Sequence, residues 1–536
     1  MPVNLLPALS LSLAALVAVL VYKGYGKRSS NVFPPGPIAL PLVGNIFNFP
    51  TESPWVKFLE WSRQYNSDAI SLTVLGKRIV ILNTAEAVQE LFVTRGLNYS
   101  SRPRIPLLDI VGSPVDWLFL NYTPNRLWRD HRKLYRREFD TQTLLHRPYE
   151  LAATRRLLAK LLVAPDDYLD HLRSTASSAI LGTTFGIPLQ SSDDPLIAMV
   201  KSFSASLDKA TGVGALGSAF SVSFRVSSKL SFKVNVFPVL RHLPTWFPGA
   251  GFHKTADELR KRAIDMLQVP LARVQQQMSE GSAHSSVAMR GLQALEEEDG
   301  EKLEHDMKIL KNVLAGIYAA GADTTLTAMR WFVLAMVKYP EIQAKASAAI
   351  LKQTEGKRLP DFATDYGNIP YLDALLNEVL RFFPVLPIGM PHCVEEDDVY
   401  NGYYMPKGTI VFGNSWALMR DARLYGADSD VFRPERFLKS DGTLNLEIPP
   451  PDQAFGYGRR VCAGKNVALE FLWIMMASIL SVFELGKTIA EDGSIVEPDG
   501  KHAVGALVCY PVPFRCKISA RSPQAEQMII SGALIQ

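Results

Sequence analysis

The residues best suited to chemistry lie in a glycine-rich segment, residues 455–464, which reads FGYGRRVCAG. This segment places the thiol of Cys462 between two glycines, beside two arginines and just before an apolar run that is typical of a helix. Nearby cations and a helix N-terminus both favour the thiolate over the thiol. A thiolate is an axial ligand of haem iron, where it favours cleavage of an O–O bond. The segment therefore predicts a ligand for haem iron or, alternatively, a structural glycine-rich turn.

A second reactive group falls in the middle of a predicted helix, residues 308–338, which ends before Pro340. There residues 320–325 read AGADTT, and the small residues leave room beside the helix. The hydroxyl of Thr324 can bond back to the carbonyl of Ala320, which loosens the helix. Oxygen and water could enter the opened groove, where Asp323 and Thr324 are placed to relay protons. The alternative is a core helix with a satisfied threonine.

A third group of charged residues predicts an ion-pair network. Glu378 and Arg381 are three residues apart on a predicted helix, residues 371–383, and therefore share one face. If this pair is buried, its remaining donors and acceptors need further partners. Arg436, in the segment FRPERF at residues 432–437, supplies a third charge. A surface salt bridge is the alternative for Glu378 and Arg381.

A strongly basic stripe lies on another predicted helix, which follows Trp128. Its cations recur at helical spacing, at Arg129, Arg132, Lys133, Arg136 and Arg137. Such a stripe usually forms a solvated helix face. The outward cations could also dock an acidic electron-donor protein and speed its encounter with this chain.

The elements that must position these groups are mostly helical. Short β-like runs occur at residues 69–75, 78–82 and 409–412 and in the C-terminal part from residue 505. The polar stretch 280–304 predicts an exposed connection, and residues 211–233 are rich in Gly and Ser with little helical period. A net charge of +4 is too small to indicate a nucleic-acid partner. The four cysteines form no dense framework, which favours a reducing compartment.

The N-terminus predicts a membrane anchor. Residues 5–22 carry no charge, are rich in Leu, Ala and Val, and approach the length of about 20 residues that spans hydrocarbon. Lys23, Lys27 and Arg28 follow, and basic residues stay on the cytosolic side of a membrane. A cleaved signal peptide is the alternative, although no basic stretch precedes the run and no small-x-small site ends it. The chain therefore divides into an anchor (1–28), a proline-rich hinge (29–50) and a catalytic domain (51–536).

These motifs together resemble those of the cytochrome P450 superfamily, in the family's order and over nearly the full chain. Residues 455–464 are similar to the haem signature Phe-x-x-Gly-x-Arg-x-Cys-x-Gly at every fixed position, and residues 320–325 resemble the oxygen-activation segment. Glu378 with Arg381 and residues 432–437 resemble the Glu-x-x-Arg helix and the Pro-Glu-Arg-Phe loop. The resemblance implies a mainly α cytochrome P450 fold with small β-sheets and a single N-terminal transmembrane helix.

The same resemblance implies the residues around a bound haem b, whose iron would take the Cys462 thiolate. Those implied to meet a propionate, to pack near the thiolate or to let the backbone come close are Arg460, Trp128, Arg132, His392, Phe455, Gly458 and Gly464. The implied catalytic residues are Thr324 and Asp323. Glu378, Arg381 and Arg436 would lock the core on the haem side.

The activity implied is that of a haem-thiolate monooxygenase that oxidises a lipophilic small molecule, such as a terpenoid, polyketide, steroid or polycyclic aromatic. Electrons would come from NADPH through a separate reductase, with cytochrome b5 as a further partner, because the chain has no nucleotide-binding signature of its own. The expected pocket is nearly all apolar and comprises Ile105, Leu107, Leu108, Ile317, Ala320, Gly321, Val385, Leu386, Ile388 and Leu507.

The details around His392 and Trp416 look most like fungal members of secondary metabolism and xenobiotic oxidation. Such members are single-pass proteins of the endoplasmic reticulum membrane, and their catalytic domain faces the cytosol. Two other functions stay open. One is a haem-thiolate isomerase or dehydratase that needs no reductase, although Asp323 and Thr324 argue against it. The other is an idle haem carrier or membrane scaffold.

Overall fold

The computed structural model describes residues 32–50, 52–112, 126–189, 194–211, 234–235, 237–504 and 508–534. The predicted anchor (1–28), nearly all of the Gly/Ser-rich stretch 211–233 and the predicted pocket residue Leu507 lie outside these residues. The protein is mainly helical (57%) with small β-sheets, as predicted. Helices therefore decide how the reactive residues are placed.

Many of the helices begin at a proline, because its fixed φ suits the first helical turn and its missing N–H would be unpaired there anyway. In chain order the α-helices are α1 (Pro54–Gln64), α2 (Ala85–Val88), α3 (Gly96–Tyr99), α4 (Pro106–Val111), α5 (Arg126–Arg136), α6 (Arg147–Val163), α7 (Tyr168–Phe185), α8 (Pro195–Thr211), α9 (Phe252–Ser279), α10 (Val287–Gln293), α11 (Gly300–Lys338), α12 (Pro340–Thr354), α13 (Pro370–Phe382), α14 (Ser415–Leu418), α15 (Ala422–Tyr425), α16 (Lys465–Val482) and α17 (Pro523–Leu534).

The strands are short and form small, separate sheets. In chain order they are β1 (Ala69–Val74), β2 (Lys77–Leu82), β3 (His392–Cys393), β4 (Asp398–Tyr400), β5 (Tyr403–Met405), β6 (Ile410–Gly413), β7 (Phe483–Ile489), β8 (Ile495–Val496), β9 (His502–Val504), β10 (Cys509–Pro511) and β11 (Cys516–Ala520). One sheet has the order β1-β2-β6-β3, and another has the order β11-β7-β8. The strands β10 with β9 and β4 with β5 form two-stranded pairs.

The described residues fall into two compact units, the first of which is a sheet unit made of residues 32–103 and 388–418. Its β1 and β2 are antiparallel, whereas β6 runs parallel to β2 with Ile79 opposite Ile410. One face of this sheet is covered by aromatic side chains, with Phe58 and Trp61 of α1 packed against Ile81. His392 on β3 belongs to this unit.

The second unit is helical and contains residues 104–387 and 419–534 of the described chain. The long helix α11 runs through it and packs against α5, α7, α13 and α16. Among the described residues, α16 alone is long and apolar enough to cross a membrane, but it is a core helix whose Trp473 is fully buried. The helical unit therefore carries the motif residues other than His392 on one packed framework.

The polar stretch 280–304 differs from its prediction. Instead of an exposed connection it contains α10, whose first turn is capped by Ser286 and whose Val287, Ala288 and Leu292 are buried. Helix α11 also begins earlier than predicted, at Gly300. Sequence polarity misled here because charged residues cover the outer faces of these helices while a few apolar residues bury the inner ones.

Candidate functional site

The loop that carries Cys462 is closed by its own backbone. Gly456 and Gly458 have φ angles of 85° and 50°, in the left-handed region that favours glycine. The loop then turns back, so that the Cys462 N–H donates to the carbonyl of Phe455 (2.7 Å). Helix α16 begins three residues later, at Lys465, with Gly464 as its N-cap residue. The thiol is therefore held at the mouth of a helix N-terminus, as the sequence predicts.

Burial and the neighbouring charges act in opposite directions on the pKa of the Cys462 thiol. The Gly464 amide, Arg132 and Lys465 all lower the pKa of the Cys462 thiol, but burial outweighs them and the net shift is upward. The neighbouring cations and the helix N-terminus thus act in the direction that the sequence predicts, but desolvation is the larger effect on the pKa of the thiol in the protein by itself. A metal ion bound to the sulfur would reverse the balance, since a coordinating thiol is deprotonated by the metal.

Two guanidinium groups stand beside the thiol loop. Arg132 of α5 donates to the carbonyl of Val461 (2.9 Å), and Arg460 lies over the ring of Trp128 at 5.0 Å from its centroid. Burial, and to a smaller extent the charge of Arg132, lower the pKa of Arg460 to about 10. Burial likewise lowers the pKa of Arg132. Because Arg132 and Arg460 are both desolvated and repel each other, a bound anion would stabilise them.

These features fit a haem. Cys462 is accessible to solvent although the atoms around its thiol desolvate it, so the loop leaves it open to a ligand. A haem would offer iron to that sulfur and its carboxylates to Arg132 and Arg460. A Cβ added to Gly464 would meet no atom within 4 Å, so the backbone there also borders open space.

The relay residues of α11 are placed as the spacing predicts for Thr324. Its hydroxyl donates to the carbonyl of Ala320 (2.9 Å). Ala320 and Asp323 are exposed, whereas Ala322 is buried, so one face of α11 opens to solvent at this point. Burial raises the pKa of the Asp323 carboxyl, against the opposing effects of Arg173 and of a hydrogen bond from Ser204. Although Asp323 as a residue is exposed, the atoms packed around its carboxyl desolvate that group, so Asp323 holds a proton more readily than an ordinary aspartate.

Gly321 was expected to leave an empty groove beside α11, but the structure fills that space. A Cβ at this position would lie 2.4 Å from Cδ1 of Ile180 on α7. The missing side chain of Gly321 therefore lets α7 approach α11 closely. The open face lies instead at Ala320, one residue earlier.

The predicted ion-pair network is present. Arg381 Nε and one oxygen of Glu378 are 2.7 Å apart, Arg381 Nη2 and the other are 2.8 Å apart, and both side chains are fully buried. Arg436 Nε lies 3.2 Å from Glu378, whose carboxylate also accepts the Arg433 N–H (2.7 Å). Arg381 in addition donates to the main-chain carbonyl of Met419. The network joins α13 to the segment 434–437 and has no group left for chemistry.

The predicted pocket residues differ in burial and in the unit to which they belong. Leu107, Leu108, Ile317 and Val385 are buried, and the first three belong to the core of the helical unit. Ile105 and Leu386 are partly buried, and each packs against a core cluster. Ile388 belongs to the sheet unit, where it packs with Phe412. Leu507 lies outside the described residues, so its place in a pocket stays a prediction.

His392, a predicted propionate partner, is tied to the sheet unit. Its ring stacks on Phe92 with centroids 4.0 Å apart, and its Nδ1 lies 2.5 Å from the carbonyl oxygen of Tyr99. The ring is therefore held in one orientation by its neighbours. Its role toward a haem stays a prediction.

Sequence reasoning passed over a set of polar contacts between α5 and α11. Asn312 Nδ2 lies 3.2 Å from His131 Nε2, and both side chains are buried. His305 Nε2 lies 2.9 Å from Asp130. No spacing within either helix signals these pairs, because the partners are about 180 positions apart in the chain.

The fold and this site define a class: helical proteins with a cysteine loop before a core helix, suited to ligate haem iron, and a long helix that carries a threonine in its open face. The cytochrome P450 family model matches residues 34–514, and the chain belongs to the cytochrome P450 family.

Curated relatives agree over nearly their whole length. The chain is similar to the cytochrome P450 monooxygenase eriA of Hericium erinaceus, with 38% identity over 98% of this chain and 96% of the relative. A cytochrome P450 monooxygenase of Armillaria gallica is 36% identical over 96% of this chain and 97% of its own. Tryptamine 4-monooxygenase of Psilocybe cyanescens is 34% identical over 95% and 97%.

These relatives confirm the family and the enzyme class expected from the motifs. The chain is a cytochrome P450 monooxygenase, and its relatives are fungal. Membership implies a haem iron with cysteine thiolate ligation. Cys462 is the cysteine predicted for that ligation, because residues 455–464 resemble the family's haem signature.

Proposed function

We propose that this protein is a membrane-bound haem-thiolate monooxygenase that inserts one oxygen atom of O2 into a lipophilic small molecule, with electrons supplied from NADPH by a separate reductase. The observation that carries the proposal is the accessible Cys462 thiol at the N-terminus of α16, beside the desolvated cations Arg132 and Arg460. A haem carries both groups that this arrangement could bind, an iron for the thiol and carboxylates for the two cations.

When bound, a thiolate-ligated haem supplies the oxygen chemistry, because the sulfur pushes electron density toward the iron. The chain supplies the rest. Cys462 holds the iron, and Arg132 and Arg460 neutralise carboxylates. The Thr324 hydroxyl and the Asp323 carboxyl, on the open face of α11, hold the protons that the reaction consumes.

The proposed substrate class rests on the apolar character of the predicted pocket residues. That character supports a lipophilic substrate bound mainly by burial of its surface. A relative is named for action on tryptamine, an aromatic amine. An indole therefore belongs among the test compounds, beside a terpenoid, a polyketide, a steroid and a polycyclic aromatic.

Electron delivery is assigned to the basic face of α5. Arg129, Lys133, Arg136 and Arg137 are all exposed on this helix and its continuation. An acidic surface on a reductase, or on cytochrome b5, would be attracted to them before contact. The face lies on the helix that also carries Arg132, close to the thiol loop.

Membrane association has support within the helical unit as well as from the predicted anchor. Phe237, Val239, Trp246 and Phe247 are exposed in one short stretch, and Val239 and Trp246 are 73% and 78% accessible. Exposed aromatic side chains are typical of protein surfaces at a membrane–water interface, where they contact both the apolar and the hydrated regions of the bilayer. The endoplasmic reticulum, with the catalytic domain toward the cytosol, is the location that an N-terminal anchor followed by basic residues favours.

The function is tested by producing the full chain in fungal microsomes with a fungal reductase. We expect the reduced protein to show the carbon monoxide spectrum of thiolate-ligated haem, and to form products from the compound panel only with NADPH and reductase. The variant Cys462→Ser should lose that spectrum. Retention of the spectrum by Cys462→Ser would refute the proposal. Turnover of a peroxide without NADPH would instead indicate an isomerase or dehydratase, and a haem-loaded protein that converts no compound would indicate an idle carrier.

A further inference from the structure

We propose that His131 and Asn312 form a positioning pair that holds α5 in register against α11 and thereby keeps Arg132 and Trp128 in place to retain the haem. The inference rests on the proposed function, because it assumes that Arg132 and Trp128 face a haem. Neither His131 nor Asn312 belongs to the motifs that define the family signature.

Three polar contacts join α5 to the N-terminal part of α11. Asn312 Nδ2 lies 3.2 Å from His131 Nε2, and these side chains are only 6% and 5% exposed. On one side of the pair, His305 Nε2 lies 2.9 Å from Asp130. On the other, the Tyr135 hydroxyl donates to the carbonyl of Val313 (3.4 Å). These three contacts, between residues 130–135 of α5 and residues 305–313 of α11, limit how far α5 can slide along α11.

Of these three contacts, the one between His131 and Asn312 is buried on both sides, and it bears most on how the helices align. Burying an imidazole and an amide costs free energy unless each satisfies the other, and apolar side chains at both positions would stabilise the interface at least as well. A single buried polar pair can specify register, because shifting either helix breaks the contact between the two buried groups. The pair at His131 and Asn312 therefore selects one alignment of α5 on α11.

That alignment matters because of what α5 carries. His131 directly precedes Arg132, which donates to the carbonyl of Val461 next to Cys462 (2.9 Å). Trp128 lies one turn earlier and supports the guanidinium of Arg460 at 5.0 Å. A displacement of α5 would therefore move both cations and the carbonyl beside the thiol together.

The test uses the haem-loaded full chain and measures how fast haem transfers to excess apomyoglobin. We expect His131→Ala and Asn312→Ala each to speed haem loss about tenfold, the scale of one lost hydrogen bond with an unsatisfied partner. The double variant should lose haem no faster than either single variant, because both remove the same contact. His131→Gln, which can still accept from Asn312, should recover much of the retention.

The matched control is His171→Ala on α7, which removes another histidine whose Nε2 lies 2.8 Å from a main-chain carbonyl, that of Ala164. Its unfolding temperature should fall, but its haem should be lost at the parent rate. Equal haem loss in the control and His131→Ala, or strictly additive single variants, would overturn the positioning role. A parent protein that never shows the thiolate–carbon monoxide spectrum would contradict the proposed function instead. If His131→Ala does not accumulate, Asn312→Ala and His131→Gln decide the question.

Discussion

At the scale of single residues, burial makes the charged forms of the site residues less favourable. The Cys462 thiol lies beside Arg132 and a helix N-terminus, yet its pKa is raised because burial outweighs both. The guanidinium of Arg460 is likewise made less favourable by burial, and its pKa falls to about 10. Both penalties disappear when a metal meets the sulfur and carboxylates meet the cations. A ligand that carries both a metal ion and carboxylates would therefore stabilise these residues together.

Thr324→Ala tests the proton relay. The variant loses the hydroxyl on the open face of α11, and a positioned proton donor contributes roughly 10²-fold or more to a rate. We expect product formed per NADPH consumed to fall by at least about tenfold, while the haem spectrum is unchanged. Thr324→Ser keeps the hydroxyl and should retain most of the coupling. Equal coupling in all three proteins would remove Thr324 from the reaction.

How far the sequence predicts these residues depends on the distance over which they interact. The bond from Thr324 to Ala320 and the pair of Glu378 with Arg381 follow from spacing within one helix. The burial that raises the pKa of Cys462 does not follow from local spacing, because it depends on distant segments of the protein that fold around the loop. The contact of His131 with Asn312 is also invisible in the sequence, since it joins separate helices.

At the scale of elements, the same division holds. Long helices such as α11 and α13 were predicted in type and approximate extent from apolar periodicity and from prolines at their ends. Strand β7 and helix α17 were missed. Strand β7 follows α16 without a break and pairs with β11, thirty residues further on, so its conformation is decided by a distant partner.

Gly321→Ala tests the close packing of α7 on α11. The added Cβ would lie 2.4 Å from Cδ1 of Ile180, and overpacking of this kind costs about 1–3 kcal/mol. The gain in helix propensity is only about 1 kcal/mol, so the unfolding temperature should fall. In an Ile180→Ala background the clash is absent, and Gly321→Ala should raise the unfolding temperature. The same effect in both backgrounds would contradict the assigned contact.

The basic face of α5 is tested by Arg129→Gln combined with Lys133→Gln. Both side chains are exposed, so folding and haem binding should be unaffected. We expect the KM for reductase to rise at low ionic strength, and the difference from the parent to shrink as salt screens the charges. Lys261→Gln, an exposed change on α9, is the matched control and should behave as the parent. A KM that does not change at low salt would place the docking surface elsewhere.

At the scale of the whole molecule, stability depends in part on a carboxyl group that folding buries without a hydrogen-bond partner in the part of the chain that the structure describes. Glu150 of α6 is 1% exposed, and among the described residues neither of its carboxyl oxygens has a hydrogen-bond partner. Arg147, one turn earlier, instead binds Glu470 through two bonds of 2.9 and 3.0 Å. Burial, and then the charge of Glu470, raise the pKa of the Glu150 carboxyl well above its usual range.

The sign of the resulting pH dependence follows from proton linkage. The folded protein keeps a proton on Glu150 that the unfolded chain releases above a pKa of about 4.3, so this group lowers stability progressively as pH rises from there toward its folded pKa. Glu150→Met, of similar length, should raise the unfolding temperature of the haem-loaded protein, by an amount that is small near pH 4.5 and grows toward neutrality. Removing an unsatisfied buried carboxyl is worth about 1–3 kcal/mol. Glu341→Gln on α12, an exposed change, should leave the pH profile as it is. An unfolding temperature of Glu150→Met that runs parallel to the parent across this pH range would show that Glu150 carries no excess proton in the folded state.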